Sequence, residues 1–261
     1  MARILGRVLW TQSSGDLMKT NVVIQGDCLE VMQNIPNGCI DMILCDLPYG
    51  TTACSWDTII PFEPLWKAYK RIIKPNGAIA LTASQPFTSA LVMSNLKMFK
   101  CCWVWDKVKP STGLHAKIMP LRRTEDVVVF GNKKINYFPQ LNKTSFRLDK
   151  PRMANNGEAF GGKSTLRQHS NDGVKYPTNL ITLSNANQNN RYHPTQKPVD
   201  LMKYLIQTYT NAGDLVLDNC AGSGTTGVAA KLLNRKYILI EKDTKYVEIC
   251  NERLKQEVLA L

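Results

Sequence analysis

Short apolar runs alternate with segments of helical spacing along most of the 261-residue chain, and this alternation most limits the folds open to it. The apolar runs predict strands at 21–27, 39–46, 78–84, 101–107, 125–132, 214–220 and 236–243. The segments between them predict helices at 29–36, 62–77, 86–96, 198–210, 225–234 and 246–259. Because parallel strands need a crossover between them, the pattern predicts an α/β fold with a mostly parallel sheet and helices on both faces.

The chain length fits one domain, which we place at 18–261. Residues 1–17 are basic and their apolar stretch is broken, so we interpret them as a leader or an alternative start and expect disorder there. No apolar run reaches the roughly 20 residues that a membrane-spanning helix needs. The eight cysteines form no C-x-x-C pair, so we expect no metal site. Several of them lie in apolar runs, which predicts small buried side chains in a reducing cytoplasm.

A basic, polar segment at 131–192 interrupts the alternation. It has ten lysines and arginines against three acidic residues, and the whole chain has a formal net charge of +12. A positive surface attracts a polyanion such as a nucleic acid, but a solvated flexible insertion has the same composition. Composition alone leaves both interpretations open.

A glycine-rich loop follows the predicted strand 214–220. Gly222, Gly224 and Gly227 satisfy the pattern G-x-G-x-x-G between a strand and a helix, where small residues let the backbone approach a ligand. Glu241 lies at the end of the next strand, 19 residues after Gly222, where an acid can accept hydrogen bonds from two ribose hydroxyls. A nicotinamide dinucleotide is one candidate ligand. The hydroxyl-rich sequence SGTT and the late position of the unit favour S-adenosylmethionine, a nucleoside that carries an amino acid.

The stretch Asp46-Leu47-Pro48-Tyr49 follows another predicted strand. The carboxylate of Asp46 and the carbonyl of Leu47 can accept hydrogen bonds from the two N–H groups of a base amine, which turns the nitrogen lone pair toward an incoming methyl group. Pro48 restricts the backbone, and Tyr49 offers a flat face to the base. Alone this stretch is a strand-to-turn corner; beside the glycine loop it predicts a catalytic clamp. A base in a duplex must flip out to reach it.

These motifs resemble the beta class of DNA amino-methyltransferases over about residues 21–261. In that family the catalytic motif reads Asp-Pro-Pro-Tyr, and the cofactor loop reads Asp-Pro-Phe-x-Gly-Ser-Gly-Thr-Thr. A His-Pro-Thr-x-Lys-Pro element, here at 193–198, comes just before the loop. The resemblance implies a Rossmann-like, S-adenosylmethionine-dependent methyltransferase fold, with target recognition at 131–192.

The resemblance also implies which residues bind the cofactor. Asp27 would hold its adenine end, with Cys28 beside it, and Glu241 would hold the ribose. The full set that it implies is Asp27, Cys28, Asp46, His193, Thr195, Asp218, Gly222, Ser223, Gly224, Thr225 and Glu241.

Two departures from the family pattern are expected to leave activity intact. Leu47 replaces a proline but keeps its backbone carbonyl. Asn219-Cys220 replaces Pro-Phe, which removes an aromatic ring; Trp56 or Phe87 is a candidate to fill that space, although each also suits the core.

The implied function is site-specific methyl transfer to the N6 amine of adenine in double-stranded DNA, with no membrane partner. The acid at Asp46 favours adenine, because cytosine-N4 enzymes of this family more often carry serine there. Lys107, Arg122 and Arg123 are candidate DNA contacts. N4 methylation of cytosine is the alternative, with a nicotinamide oxidoreductase and an inactive DNA-binding protein as remoter ones. A homodimer is also left open.

Overall fold

The computed structural model describes residues 18–52, 54, 57–111, 113, 116–143, 147–148, 152–154, 165–167, 170–171, 173–185, 192 and 195–255. The leader predicted at 1–17 lies outside these residues. The chain divides into a larger unit, Met1–Phe138 with Asn179–Leu261, and a smaller unit, Pro139–Thr178. The separate unit is narrower than the insertion predicted at 131–192, because both ends of that range belong to the larger unit.

In the described part of the chain, the larger unit contains one eight-stranded sheet and six helices. Its strands are β1 (Val22–Gln25), β2 (Ile40–Asp46), β3 (Ile73–Ala83), β4 (Phe99–Ser111), β5 (Arg122–Gly131), β12 (Leu180–Thr182), β13 (Leu215–Asp218) and β14 (Lys236–Glu241). Its helices are α1 (Cys28–Gln33), α2 (Phe62–Ile72), α3 (Phe87–Ser94), α4 (Val199–Tyr209), α5 (Thr225–Leu232) and α6 (Thr244–Lys255). The smaller unit contains β6 (Asn142–Lys143), β7 (Arg147–Leu148), β8 (Arg152–Ala154), β9 (Thr165–Arg167), β10 (Ser170–Asn171) and β11 (Val174–Lys175). These short strands form the antiparallel pairs β6–β11, β7–β10 and β8–β9.

The strand order in the main sheet is β1-β14-β13-β2-β3-β5-β4-β12. The first five strands are parallel to one another, β5 is antiparallel to both of its neighbours, and β12 is parallel to β4. The predicted α/β fold with a mostly parallel sheet is confirmed. The carboxyl ends of β1, β14, β13, β2 and β3 therefore share one edge of the sheet, where β4 ends and β5 begins.

The sheet is buried on both faces because its central strands are apolar throughout. Successive side chains of a strand point to opposite faces. In β2, Ile43 and Cys45 lie in the core cluster that contains α2 residues such as Leu65, whereas Met42 and Leu44 lie in the cluster with Leu205 of α4. Helices thus cover both faces, as predicted.

The second helix ends earlier than predicted. The sequence pattern predicts a helix at 62–77, but α2 ends at Ile72 and the chain is extended from Ile73 onward. Pro75 has no N–H to donate, and a residue before proline is biased to extended backbone, so the chain leaves the helix before Lys74. The Lys74 ammonium pairs with the buried Asp41, which also accepts a bond from the Leu215 N–H.

Within the described part of the chain, no helix is both long enough and apolar enough to cross a membrane.

Candidate active site

Three acidic side chains end neighbouring strands at the carboxyl edge of the sheet. Asp46 ends β2, Asp218 ends β13 and Glu241 ends β14, and these strands lie side by side. In open α/β sheets, ligands bind in the crevice outside the carboxyl ends of the strands. The two segments that the sequence analysis assigns to the clamp and to the cofactor loop therefore meet at this edge.

The Asp46 carboxylate is held by three side chains. Thr82, at the end of β3, donates to Oδ1. The Tyr49 hydroxyl lies 2.8 Å from the same oxygen. The Lys197 ammonium lies 2.8 Å from Oδ1 and 2.7 Å from Oδ2. The carboxylate is therefore fixed in orientation before any substrate arrives.

The Tyr49 ring contributes to the same site. It stacks on Phe87, with ring centroids 5.3 Å apart, and the Lys197 ammonium lies 5.5 Å from its centroid. Burial, with a further contribution from the Asp46 charge, raises the pKa of Tyr49 well above 10.0, so the phenol stays protonated as a donor. Phe87 thus supports the clamp, while the other candidate, Trp56, lies outside the described residues. Leu47 lies between Asp46 and Tyr49 in the sequence, and its side chain is buried in the core and anchors the turn.

Lys197 and Glu125 complete the clamp, and neither is among the predicted site residues. Lys197 is buried, and its ammonium also lies 3.5 Å from Glu125 Oε2. Burial alone would lower the pKa of Lys197, but the negative charges of Asp46 and Glu125 raise it well above 10.5. The lysine therefore stays protonated. The only sequence feature that pointed to Lys197 was its position in the His-Pro-Thr-x-Lys-Pro element at 193–198.

Asp57 holds the turn that follows the clamp. Its carboxylate accepts three backbone N–H bonds, from Gly50 at 2.8 Å, Thr51 at 2.9 Å and Thr52 at 2.7 Å. Burial raises the pKa of Asp57, but these hydrogen bonds outweigh it and the pKa falls below 3.8. Asp57 is not among the predicted site residues, because its role depends on a turn geometry that the residue order does not reveal.

Asp57→Asn is expected to destabilise the chain by about 2 kcal/mol at neutral pH, because the amide gives up a charged acceptor of backbone N–H groups. The folded-state pKa is depressed, so the carboxylate stabilises the fold above pH 3.8 and loses this contribution as the pH falls through the lower folded value. Urea unfolding between pH 7 and about 3 measures the difference. The gap between wild type and variant should narrow toward the acid end.

Asp200→Asn is the matched control for Asp57→Asn, because its carboxylate is 73% exposed and pairs only with Lys203 in the same helix among the described residues. We expect it to leave stability within about 0.5 kcal/mol of wild type. If the difference in unfolding free energy between wild type and Asp57→Asn stays constant across the pH range, the Asp57 carboxylate does not stabilise the turn as assigned.

The glycine loop has the geometry that a close backbone approach requires. Gly222 and Gly224 have φ of 50° and 78°, which favour glycine, and a Cβ on Gly224 would lie 2.9 Å from the Cys250 sulfur. A Cβ on Gly227 would lie 2.6 Å from Leu239, so this glycine lets α5 pack directly on β14. Each predicted glycine therefore has a distinct physical reason.

Glu241 stands over the loop. Its Oε2 accepts the Gly222 N–H at 2.8 Å and its Oε1 accepts the Asp243 N–H at 2.9 Å. Each carboxylate oxygen keeps a further lone pair. Burial raises the pKa of Glu241 above 4.5, and burial raises that of Asp218 to about 6. Asp218 is almost fully buried and accepts the Cys220 N–H, so it supports the loop from below.

One dipeptide connects the loop to the clamp. The Ser223 hydroxyl bonds to Gln196 Oε1 at 2.9 Å, and the next residue, Lys197, bonds to Asp46. The Arg253 guanidinium donates to the Ser223 carbonyl, lies 3.0 Å from the Ser223 hydroxyl, and stacks 4.9 Å from the Tyr192 ring centroid. Segments far apart in sequence are thus joined at one site.

The other residues assigned to the cofactor have mixed placements. Asp27 caps α1 by accepting the Leu29 N–H at 2.9 Å, and β1 pairs with β14 so that Asp27 lies near Glu241. A hydrogen bond with the Cys220 side chain, together with burial, raises the pKa of the Cys28 thiol. Thr225 is buried and Thr195 is exposed. His193 lies outside the described residues.

The three candidate DNA contacts differ in position, and one of them needs correction. Lys107 is only 3% exposed and lies 3.1 Å from Glu125, so it belongs to the buried charge cluster and not to a DNA-facing surface. The strand pattern placed it at the end of an apolar run, but not on an inward face. Arg122 and Arg123 are exposed, and Arg123 makes two bonds to Asp106, at 2.6 and 2.7 Å.

The described segments contain no group of three His, Cys, Asp or Glu residues that could hold a metal ion.

Comparison with known proteins gives consistent matches over nearly the whole chain. A family model described as DNA methylase matches residues 40–252. The Type II methyltransferase M.HpaI of Haemophilus parainfluenzae is 28% identical over 250 residues, which cover 90% of this chain and 74% of that protein. M.HinfI of Haemophilus influenzae is 28% identical over 271 residues, which cover 90% and 68%. The crystal structure of the M1.HpyAVI–SAM complex has a TM-score of 0.59 and 26% identity, covering 90% of this chain and 98% of that one.

Proposed function

The chain belongs to the DNA methylase family, and we propose from this membership and the site geometry that it methylates the N6 amine of adenine in double-stranded DNA. It uses S-adenosyl-L-methionine as methyl donor. The observation that carries the proposal is the dipeptide Gln196–Lys197, which joins the glycine loop to the Asp46 carboxylate. A loop suited to a nucleoside and an acid suited to an amine therefore lie together.

The residues at the glycine loop fit this cofactor. Gly222 and Gly224 have positive φ, which the turn of the loop requires, and Glu241 presents carboxylate lone pairs beside the loop for two ribose hydroxyls. We assign the adenine end of the cofactor to Asp27, which follows β1 and caps α1. When bound, S-adenosylmethionine supplies an electrophilic methyl group on a positively charged sulfur.

The clamp residues act on the target amine. Asp46 Oδ2 accepts one N–H and the Leu47 carbonyl accepts the other, so the nitrogen lone pair points away from both acceptors. The negative charge of Asp46 stabilises the positive charge that develops on the nitrogen. Tyr49 bounds the site with its ring.

A carboxylate in place of serine at Asp46 supports adenine over cytosine as the target, in keeping with the family pattern. The test uses the purified chain, plasmid DNA from a host without DNA methylation, and S-adenosylmethionine with a deuterated methyl group. Mass spectrometry of the digested nucleosides should find deuterated N6-methyldeoxyadenosine. Deuterated N4-methyldeoxycytidine would instead make cytosine the target, and unlabelled DNA would reject the function.

A hairpin between β4 and β5 supports DNA binding near the clamp. β4 ends and β5 begins at the same sheet edge as Asp46, so the hairpin extends from that edge. Its exposed residues include the basic Lys117 and Arg122 and the apolar Ile118, which is 74% exposed. Basic side chains beside a flipped-base site are suited to phosphate contacts.

Lys117→Ala and Arg122→Ala are each expected to make the slope of log affinity against log salt shallower by about 1 unit, because each removes one phosphate contact. Fluorescence anisotropy with a labelled 30-base-pair duplex at several salt concentrations measures this slope. Lys70→Ala is the control, since Lys70 is exposed on α2 near the opposite sheet edge. Unchanged slopes in both hairpin variants would remove the hairpin from the DNA interface.

A further inference from the structure

Four charged side chains form a chain of ion pairs beside the clamp. Lys107 pairs with Glu125 at 3.1 Å, and Lys197 lies between Glu125 at 3.5 Å and Asp46 at 2.7 Å. Two cations and two anions therefore balance. The arrangement gives the Lys197 ammonium two carboxylates within reach, and it is bonded to only one of them.

The two oxygens of Asp46 are used differently. Oδ1 is close to three donors, from Thr82, Tyr49 and Lys197, and is fully engaged. Oδ2 accepts only from Lys197 among the described residues. Oδ2 is thus the oxygen with room for a substrate amine, and the Lys197 ammonium lies 2.7 Å from it and offsets its negative charge.

Glu125 offers the ammonium another place. Its Oε2 is buried and has no hydrogen-bond partner in the described part of the chain, although Lys197 Nζ is 3.5 Å away. A buried acceptor without a partner is unfavourable, and so is a buried ammonium that leaves one carboxylate without reaching another. A short movement of Lys197 onto Oε2 avoids both costs.

We propose, building on the proposed function, that Lys197 is a positioning residue whose ammonium holds Asp46 in the free protein and moves to Glu125 when the target amine binds Asp46. The move uncovers the negative charge of Asp46 at the moment when positive charge develops on the amine nitrogen. No proton is transferred and no covalent bond is formed or broken in this move, because the lysine remains a cation in both positions. Glu125 acts only through Lys197 and does not touch the base.

The first test measures single-turnover methylation of a duplex that carries the site found by sequencing plasmid DNA methylated by the wild-type chain. Glu125→Gln is expected to slow methylation by about 10- to 100-fold, because the ammonium can no longer leave Asp46 for a charged partner. The dissociation constants for the duplex and for S-adenosylmethionine should stay within about 2-fold of wild type. Glu125→Asp, which keeps the charge, should recover part of the rate. A Glu125→Gln rate equal to wild type overturns the proposal.

The second test places Glu125→Gln in a Lys197→Met background. Lys197→Met should keep a measurable rate, because Thr82 and Tyr49 still orient Asp46, and adding Glu125→Gln should change that rate by less than about 2-fold. No measurable rate for Lys197→Met, or an undiminished Glu125 effect in its absence, overturns the proposal.

Folding is checked separately from the mechanism. Glu125→Gln leaves Lys107 beside a neutral group, so the variant Lys107→Met/Glu125→Gln, which removes both charges, serves if the single variant does not fold. It should show the same rate loss as that expected for Glu125→Gln, and a wild-type rate overturns the proposal. If the wild-type chain itself methylates no DNA, the proposed function fails, whatever the variants do.

Discussion

Asp46→Ala is expected to slow methyl transfer by about 10³-fold, equivalent to about 4 kcal/mol of transition-state stabilisation. The variant loses both the acceptor for the amine N–H and the negative charge that faces the developing positive charge. Its fold should survive, because Lys197 retains Glu125 as a charged partner within 3.5 Å. Single-turnover methylation with tritiated S-adenosylmethionine measures the rate, and calorimetry measures cofactor binding.

Cofactor affinity of Asp46→Ala should stay within about 3-fold of wild type, since the proposed function assigns the cofactor to the glycine loop, Glu241 and Asp27, and assigns Asp46 to the target amine. Asp200→Ala, at an exposed position on α4, is the matched control and should methylate at the wild-type rate. Full activity in Asp46→Ala would remove the carboxylate from the catalytic role.

Glu241→Ala is expected to weaken S-adenosylmethionine binding by about 100-fold, or about 2.7 kcal/mol. The substitution removes the acceptors that we propose for two ribose hydroxyls, and it also frees the Gly222 N–H that Oε2 now holds at 2.8 Å. Isothermal titration calorimetry of the purified variant measures the loss directly.

Glu248→Ala is the matched control for Glu241→Ala, because Glu248 is an exposed glutamate on α6 only seven positions further along. It should bind the cofactor with wild-type affinity. If Glu241→Ala binds S-adenosylmethionine as tightly as wild type, the ribose does not lie against Glu241.

The sheet and the glycine loop could be predicted because their determinants are local. Apolar runs of strand length and helical spacing are set by neighbouring residues, and a glycine at φ 78° has few replacements. Glu241 could be placed for the same reason, since parallel strands bring acids at their carboxyl ends to one edge. The end of α2 at Ile72 was missed because Pro75 acts on the residues before it, so the helix stops short of the proline.

The charge cluster at the clamp could not be predicted, because its members meet only in three dimensions. Lys197 is 151 positions from Asp46, and no spacing rule connects them. The same reason explains the error at Lys107, whose side chain turns inward to Glu125 instead of toward DNA. Charged residues in a basic chain are usually exposed, and only packing shows which of them are paired inside.

The placement of target recognition at 131–192 stays a prediction. The structure separates Pro139–Thr178 as its own unit with three antiparallel strand pairs, while Leu180–Thr182 pairs with β4 in the main sheet. Weak apolar periodicity gave no means of finding these narrower limits, because short strands of two or three residues leave no repeating pattern.

A crystal structure of the chain with S-adenosylmethionine bound tests most directly whether the glycine loop and the clamp serve one reaction. An amine bonded to Asp46 Oδ2 lies about 3 Å from it, and the attacked methyl carbon lies about 3.5 Å from that nitrogen. We therefore expect the methyl carbon within about 6.5 Å of Asp46 Oδ2, with its transferable side facing the clamp. A cofactor bound away from Gly222 and Glu241, or one whose methyl group faces away from Asp46, would contradict the assignment.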